Sequence, residues 1–247
     1  MILAEPRQFV VGDVHGHYDG LLHLFALMAP RTVDAVVFLG DLIDRGPKSA
    51  QVVDFVKMSG YPCLLGNHEQ LMLDACRQND SDYTAFQLWL SCGGRQTVDS
   101  YESSELLQDH VDWMATLPNY LDLGAYWLVH AGVHPDRSIE SQTTQELCWI
   151  RGEFHRMTTP YFSDKTIVTG HTITFTFPGL KPGQIAKGAG WLDIDTGAYH
   201  PKSGWLTAIE VNEEKVYQVN VFNQEERICH FDELIIGINP KKFKARL

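Results

Sequence analysis

Oxygen- and imidazole-bearing side chains recur in glycine-bordered motifs along this chain. Gly12-Asp13-Val14-His15-Gly16 comes first, then Gly40-Asp41-Leu42-Ile43-Asp44-Arg45-Gly46, then Gly66-Asn67-His68-Glu69. His130-Ala131-Gly132 and Gly170-His171 follow. Asp, Asn and His donate oxygen and imidazole nitrogen and no thiolate. That set suits manganese, iron or zinc rather than an iron–sulfur cluster or a structural zinc. Asp13 and His15 are two apart, so in extended backbone they point to one side and can grip one ion. Asn67, His130 and His171 can grip a second. Asp41 lies between the two sets in chain order, and a carboxylate can bridge two ions with its two oxygens. Flanking glycines let the backbone turn sharply and a substrate come close.

Such motifs need a scaffold that gathers them. Phe9-Val10-Val11, Ala35 to Leu39 and Cys63-Leu64-Leu65 are short apolar runs, each ending at one of the first three motifs. A helical pattern runs from Leu21 to Met28, and Pro47 opens another to Met58 with Val52, Phe55 and Val56 on one face. Apolar runs separated by helices read as buried strands of βαβ units. Positions 13, 41 and 67 are 28 and 26 residues apart, which suits one strand–helix unit each. Residues 69–117 read as mostly helical, with a break at Gly93-Gly94 and a stop at Pro118. Trp127-Leu128-Val129, Thr166 to Thr169, Trp191 to Ile194, Leu206 to Val211 and Val216 to Val221 read as strands. Phe177 to Gly190, rich in Gly, Pro and Lys, reads as a long loop. No compositional shift marks a linker. The expectation is one α/β domain over 1–247 with two sheets and helices outside. A helical insert at about 75–117 and a specificity loop at about 175–190 should shape its cleft. Ligands of open α/β sheets bind beyond the carboxyl ends of strands, so the polar tips can converge on one crevice.

Composition excludes several classes. With 44% hydrophobic and 21% charged residues the chain is neither disordered nor a coiled coil. A formal net charge of -11 argues against a nucleic-acid-coating surface or an anionic-membrane binder. The cysteines at 63, 76, 92, 148 and 229 contain no C-x-x-C, so a zinc ribbon, a redox motif and a disulfide framework all lose support. Reduced thiols in a cytoplasm are the expectation. Met1 to Phe9 has no signal-peptide character, and no apolar stretch approaches the ~18 residues of a membrane span.

G-D-x-H-G, G-D-x-x-D-R-G and G-N-H-E in this order, at βα spacing, resemble the phosphoprotein phosphatase branch of the calcineurin-like metallophosphoesterases. The style is similar to the bacterial and bacteriophage lambda phosphatase-like subgroup. The resemblance runs from about Phe9 to about Thr196. It implies a two-sheet β-sandwich flanked by helices, in four αββα layers. It also implies two divalent metals. Asp13, His15 and Asp41 would hold the first, and Asp41, Asn67, His130 and His171 the second, with Asp41 and a hydroxide bridging. Manganese is the metal implied by resemblance to bacterial members, with iron and zinc the other candidates. Arg45 matches a phosphate-binding arginine, and Arg151 in Trp149-Ile150-Arg151-Gly152 resembles the second. His68 matches the general acid and Asp44 the carboxylate that orients it.

The chemistry hangs together. Two divalent ions outweigh Asp13, Asp41 and a hydroxide, and Arg45 and Arg151 add to the surplus, so a phosphate dianion is attracted despite the overall negative charge. The ions lower the pKa of bound water to roughly 7, and the resulting hydroxide can attack phosphorus in line. His68 can protonate the leaving oxygen. The leading expectation is a phosphatase of phosphorylated Ser or Thr, with Tyr also admitted, acting on a protein, a peptide or a small phosphorylated molecule. A dinucleoside polyphosphate (Ap4A-type) hydrolase is the alternative, since Asp44 and Glu69 lean toward protein-phosphatase chemistry without separating the two. A metal-binding scaffold without turnover is the remote reading.

Other residues take plainer roles. His17, His23, His110, His134, His155, His200 and His230 read as structural. Glu69 reads equally as a first-turn carboxylate favoured by the helix dipole and as a site residue. Asp195 is a turn residue or lies behind the metals. Cys148 reads as packed core. Phe175 and Phe177, in the loop after His171, are the aromatics to watch. The basic tail Lys241 to Arg246 reads as a solvated end.

Overall fold

Alternation along the apolar runs sends neighbouring side chains to opposite sides, and this divides the interior. The computed structural model describes residues 5–76 and 83–242. Its strands are β1 (Gln8–Val11), β2 (Ala35–Phe38), β3 (Tyr120–Asp122), β4 (Tyr126–Val129), β5 (Thr166–Thr169), β6 (Ile185–Gly188), β7 (Trp191–Asp193), β8 (Trp205–Glu210), β9 (Lys215–Asn220), β10 (Glu226–His230) and β11 (Ile235–Gly237). Among the described residues they form one sheet ordered β10-β9-β8-β1-β2 and another ordered β11-β6-β7-β5-β4-β3. β1 and β2 are parallel, as are β4, β5 and β7.

Val10, Val37, Leu39, Ile209 and Val216 of the first sheet pack with Leu128, Val168, Ile185 and Ile194 of the second. This is the core between the sheets. The alternate residues Phe9, Val11, Val36, Phe38, Leu206 and Val219 face outward under helices. Trp127, Val129, Ile167 and Trp191 do the same on the second sheet. Strands buried on both faces explain why the runs are apolar throughout.

The helices are α1 (Tyr18–Met28), α2 (Ser49–Ser59), α3 (Asn67–Cys76), α4 (Tyr83–Trp89), α5 (Arg95–Ser100), α6 (Ser104–Met114), α7 (Thr144–Trp149), α8 (Gly152–His155) and α9 (Phe231–Leu234). Leu21 and Leu24 of α1, Val52, Val53 and Val56 of α2, Met72 of α3, Trp89 of α4 and Met114 of α6 cover the first sheet. Leu147 of α7 and Phe154 of α8 cover the second. The layers run helix, sheet, sheet, helix, the four-layer order that the resemblance implies. Each fully buried Leu or Val contributes about 1.5–3 kcal/mol relative to exposure. A capping box starts α7: Thr143 Oγ1 accepts from the Glu146 amide at 3.2 Å, and Glu146 Oε2 accepts from the Thr143 amide at 2.8 Å.

Two expectations change, and one holds. Cys63-Leu64-Leu65 is no strand; it makes a single parallel bridge, Cys63 to Phe38. The 69–117 stretch is broken at Gly93, whose φ is 112°, as its Gly-Gly pair suggests; residues 77–82 of it lie outside those described. The loop from Phe177 to Gly190 ends in β6, paired antiparallel with β7 across a two-residue turn at Ala189-Gly190. Gly190 takes φ 74°, as such tight hairpins require. The described part of the basic tail, Lys241 and Lys242, is exposed.

Candidate metal centre

The carboxyl ends of four strands meet at the site. Asp13 follows β1, Asp41 follows β2, His130 follows β4 and His171 follows β5; Asn67 opens α3. The backbone is contorted here. His15, Asp41, Asp44, Arg45 and His171 have φ of 48°, 50°, 73°, 70° and 70°. Non-glycine residues in that region cost energy and persist where surrounding contacts over-determine them, typically at functional sites. Gly66 leaves room for the close approach: a Cβ there would lie 2.4 Å from the Asp41 amide nitrogen.

Asp41 stands at the centre, nearly fully buried. Its Oδ2 lies 3.6 Å from His15 Nε2, and its Oδ1 lies 3.3 Å from His130 Nε2. Asp13 Oδ2 is 3.9 Å from His15 Nε2. Asn67 Oδ1 is 3.0 Å from His130 Nε2 and 2.7 Å from His171 Nδ1. The facing nitrogens are set from behind. His15 Nδ1 donates to the Ile43 carbonyl at 2.9 Å and His130 Nδ1 to the Leu39 carbonyl at 2.8 Å. A carbonyl only accepts, so Nδ1 carries the proton and Nε2 is left a lone pair. Asp13 accepts the His171 backbone N–H at 3.1 Å.

Among the described residues two donor groups emerge whose atoms lie within 4.8 Å of one another: His15, Asp41 and His68, and Asp41, His130 and His171. Asp41 belongs to both. The first group brings in His68, whose Nε2 is 3.9 Å from Asp41 Oδ2, where the motif reading puts Asp13. Electrostatics favour a cation. Burial, then Asp195, Asp41 and Asp193, push the Asp13 carboxyl well above its usual range. Burial opposes charge on Asp41, and the surrounding imidazoles of His130, His68, His15 and His171 draw its carboxyl down only to the extent that they carry a second proton. Burial lowers His15, His130 and His171, which keeps them neutral, the form that ligates. The donor set fits divalent ions with oxygen and imidazole preference.

His68 and Asp44 form a buried pair, Nδ1 to Oδ2 at 2.6 Å. Asp44 is held from the helical stretch: Trp89 Nε1 donates to its Oδ1 at 3.0 Å and Thr97 Oγ1 donates to the same oxygen at 2.6 Å. Sequence reasoning missed Trp89 and Thr97. No local pattern ties them to Asp44; they flank Gly93-Gly94, whose Gly93 carbonyl accepts the Arg45 amide at 3.1 Å.

The arginines differ. Arg45 is half-buried, its guanidinium 4.1 Å over the Tyr199 ring and its Nη1 2.6 Å from His15 Nε2. It donates to the lone pair that an ion would take, so the two occupancies exclude each other. Arg151 lies on the rim, exposed, and donates to Thr172 Oγ1 at 2.8 Å.

Glu69 is fully buried and accepts N–H groups from Asp41, Leu42 and Gly66 at 2.8, 2.8 and 3.0 Å. Burial pushes its carboxyl up to about 8, while three donors favour the ionised form. Asp195 accepts the Gly197 amide at 2.9 Å in a local turn and, among the described residues, joins neither donor group. Cys148 is buried, its thiol donates to the Leu65 carbonyl at 3.2 Å, and burial pushes it up. Phe177 is core; Phe175 is half-buried against His200, ring centroids 4.9 Å apart. Of the histidines expected to be structural, none joins a donor group among the described residues.

Residues 6–196 match the family model described as calcineurin-like phosphoesterase. The chain belongs to the calcineurin-like phosphoesterases. Members of this metallophosphoesterase family use divalent metals and hydrolyse phosphoesters. One relative, Serine/threonine-protein phosphatase 2 of Escherichia coli (strain K12), is 31% identical over 52% of this chain and 57% of its own. Another, the symmetrical Bis(5'-nucleosyl)-tetraphosphatase of Dechloromonas aromatica (strain RCB), is 31% identical over 51% of this chain and 44% of its own. The chain thus spans about half the length of the curated relatives it matches. A solved protein serine/threonine phosphatase of Saccharomyces cerevisiae superposes with a TM-score of 0.59 at 17% identity, over 83% of this chain and 72% of that one. Among the described residues no helix is long and apolar enough to cross a membrane.

Proposed function

We propose that this phosphoesterase is a phosphoprotein phosphatase that cleaves phosphoserine and phosphothreonine, with phosphotyrosine also admitted. The observation that carries the reading is the Asp44–His68 pair at 2.6 Å. A serine alkoxide is a poor leaving group and needs a proton, whereas the phosphate released from an anhydride leaves readily without one. A buried, carboxylate-oriented imidazole is what the harder departure requires.

In this reading Asp13, His15 and Asp41 hold one divalent ion, and Asp41, Asn67, His130 and His171 hold a second. Manganese is the proposed metal, with iron and zinc the others the donors accept. Bound there, the ions supply a water ionised near neutral pH and Lewis acidity toward a phosphoryl oxygen. Asp41 keeps the two sets of donors in register. Arg45, released from His15 Nε2, and Arg151 on the rim hold phosphate oxygens through paired N–H groups. His68 gives the Nε2 proton to the departing oxygen while Asp44 holds its Nδ1–H and stabilises the orientation. We read the chain as one domain over 1–247, with the helices of the 75–117 stretch and the 175–190 loop shaping access. We place it in the cytoplasm, a setting supported by five cysteines without a disulfide, and without nucleic-acid or membrane partners.

A second reading is favoured by the name of the Dechloromonas relative: hydrolysis of a dinucleoside tetraphosphate. Metal-stripped protein restored with Mn²⁺ is given a phosphoserine peptide and diadenosine tetraphosphate in separate assays. A higher kcat/KM for the peptide supports the phosphatase. A higher value for the dinucleotide replaces it with the second reading, and turnover of neither despite two bound ions leads to the scaffold.

A further inference from the structure

Glu69 is a buried carboxylate that the proposed chemistry leaves without a task. It lies between two backbone segments: the exit of β2, which carries Asp41, and the turn before α3, which leads into Asn67 and His68. Oε2 accepts from the Asp41 amide at 2.8 Å and the Gly66 amide at 3.0 Å, and Oε1 accepts from the Leu42 amide at 2.8 Å. The two segments are pressed together at this point. A Cβ on Gly40 would lie 2.6 Å from the Gly66 nitrogen, and one on Gly66 would lie 2.5 Å from Glu69 Oε2.

Asp41 sits there at φ 50°, a left-handed conformation that costs a non-glycine residue energy and that neighbouring contacts help to hold. Its backbone is tied by Glu69, and its side chain by the His68 amide, which donates to Oδ1 at 3.0 Å. Asp41 is also the residue common to both donor groups. Whatever displaces it disturbs both groups at once, whereas a change at His171 disturbs one.

We infer that Glu69 is a positioning residue: by bracing the Asp41 backbone against Gly66 it sets the shared carboxylate, and so couples the affinities of the two ions. This rests on the two-ion reading of the site given above. Residues behind a metal's own donors commonly change affinity by about 10–100-fold when replaced. Here that loss falls on both ions together.

The test is calorimetric titration of Mn²⁺ into the metal-stripped 247-residue chain, comparing wild type, Glu69→Gln and His171→Asn. Near-ultraviolet circular dichroism establishes that each variant is folded. The glutamine keeps shape but presents an NH₂ where one oxygen accepted N–H groups. Two ions in wild type, both weakened in step by about 10–100-fold in Glu69→Gln and one weakened in His171→Asn, support the inference. Two ions in wild type with Glu69→Gln unchanged, or weakened at one ion alone, overturn it. Fewer than two ions in wild type overturn the two-ion reading itself, and the coupling with it. Should Glu69→Gln not fold, Glu69→Asp is read in the same way: it keeps the charge but shortens the reach by one methylene. A merely structural role would lower melting temperature without changing the affinity of the folded protein.

Discussion

Nδ1 of His68 lies 2.6 Å from Oδ2 of Asp44, and both side chains are shut away from solvent. The imidazole is thereby fixed in one orientation, with Nε2 turned toward Asp41. His68→Asn should keep the metals and lose about 10²–10⁴-fold in kcat on a phosphoserine peptide. The loss should be much smaller on nitrophenyl phosphate, whose phenolate needs no proton. Equal loss on both substrates would remove His68 from the role of acid.

Asp44 depends in turn on Trp89 and Thr97. Trp89→Phe leaves the ring but removes the N–H given to a buried carboxylate. About 1.5–3 kcal/mol of stability should go with a hydrogen bond to a charged group. Urea denaturation measures this, and an unchanged midpoint would show that the indole contact carries no energy.

Asp41→Asn should strip both ions and abolish turnover, because an amide keeps one acceptor oxygen where two are used. Metal analysis of the dialysed protein decides it: full metal content in the variant is incompatible with a shared carboxylate.

Away from the site, Asp34 accepts from the Arg7 amide at 2.9 Å and side chain at 2.8 Å, and from the Arg31 amide at 2.8 Å and side chain at 2.6 Å. Burial would raise its carboxyl, but these hydrogen bonds prevail and hold it well below the usual range. A depressed folded pKa means that the stabilisation is complete above the unfolded value of ~3.9 and is lost as pH falls toward the folded one. Asp34→Asn should therefore cost about 1–3 kcal/mol at pH 7, with the gap to wild type narrowing below pH ~3.9. Denaturation curves at pH 7 and pH 3 test it, and a gap of constant size would contradict the linkage.

Much of the candidate site was legible because its oxygen and imidazole side chains stand near the ends of apolar runs, with a glycine within two residues of each. Val10, Val37 and Leu128 likewise announced strands buried on both faces. The unread parts are those with no local pattern. Ile185 and Ala186 pair as a strand though Pro, Gly and Lys surround them. Glu226 to His230 form an edge strand whose polar residues hide the alternation. Trp89 and Thr97 meet Asp44 across 45 and 53 residues, a closure that no window of sequence contains. Glu69 was half read: its place in a first turn was visible, the three amides it gathers were not. Substrate choice was unreadable for a different reason, since the same ions and the same attack serve an ester and an anhydride.

The donors come from both halves of the sandwich. Asp13 and Asp41 leave the first sheet, His130 and His171 the second, and the seam is already stitched by His130 Nδ1 to the Leu39 carbonyl and the His171 amide to Asp13. An ion gripped across that seam works as a rivet. Each one adds to folding by mass action, about 2.7 kcal/mol when free metal stands at 100 times its Kd. With ions held there as proposed, heat tolerance would be a property of the medium as much as of the chain, rising where metal is plentiful and falling where a chelator competes for it.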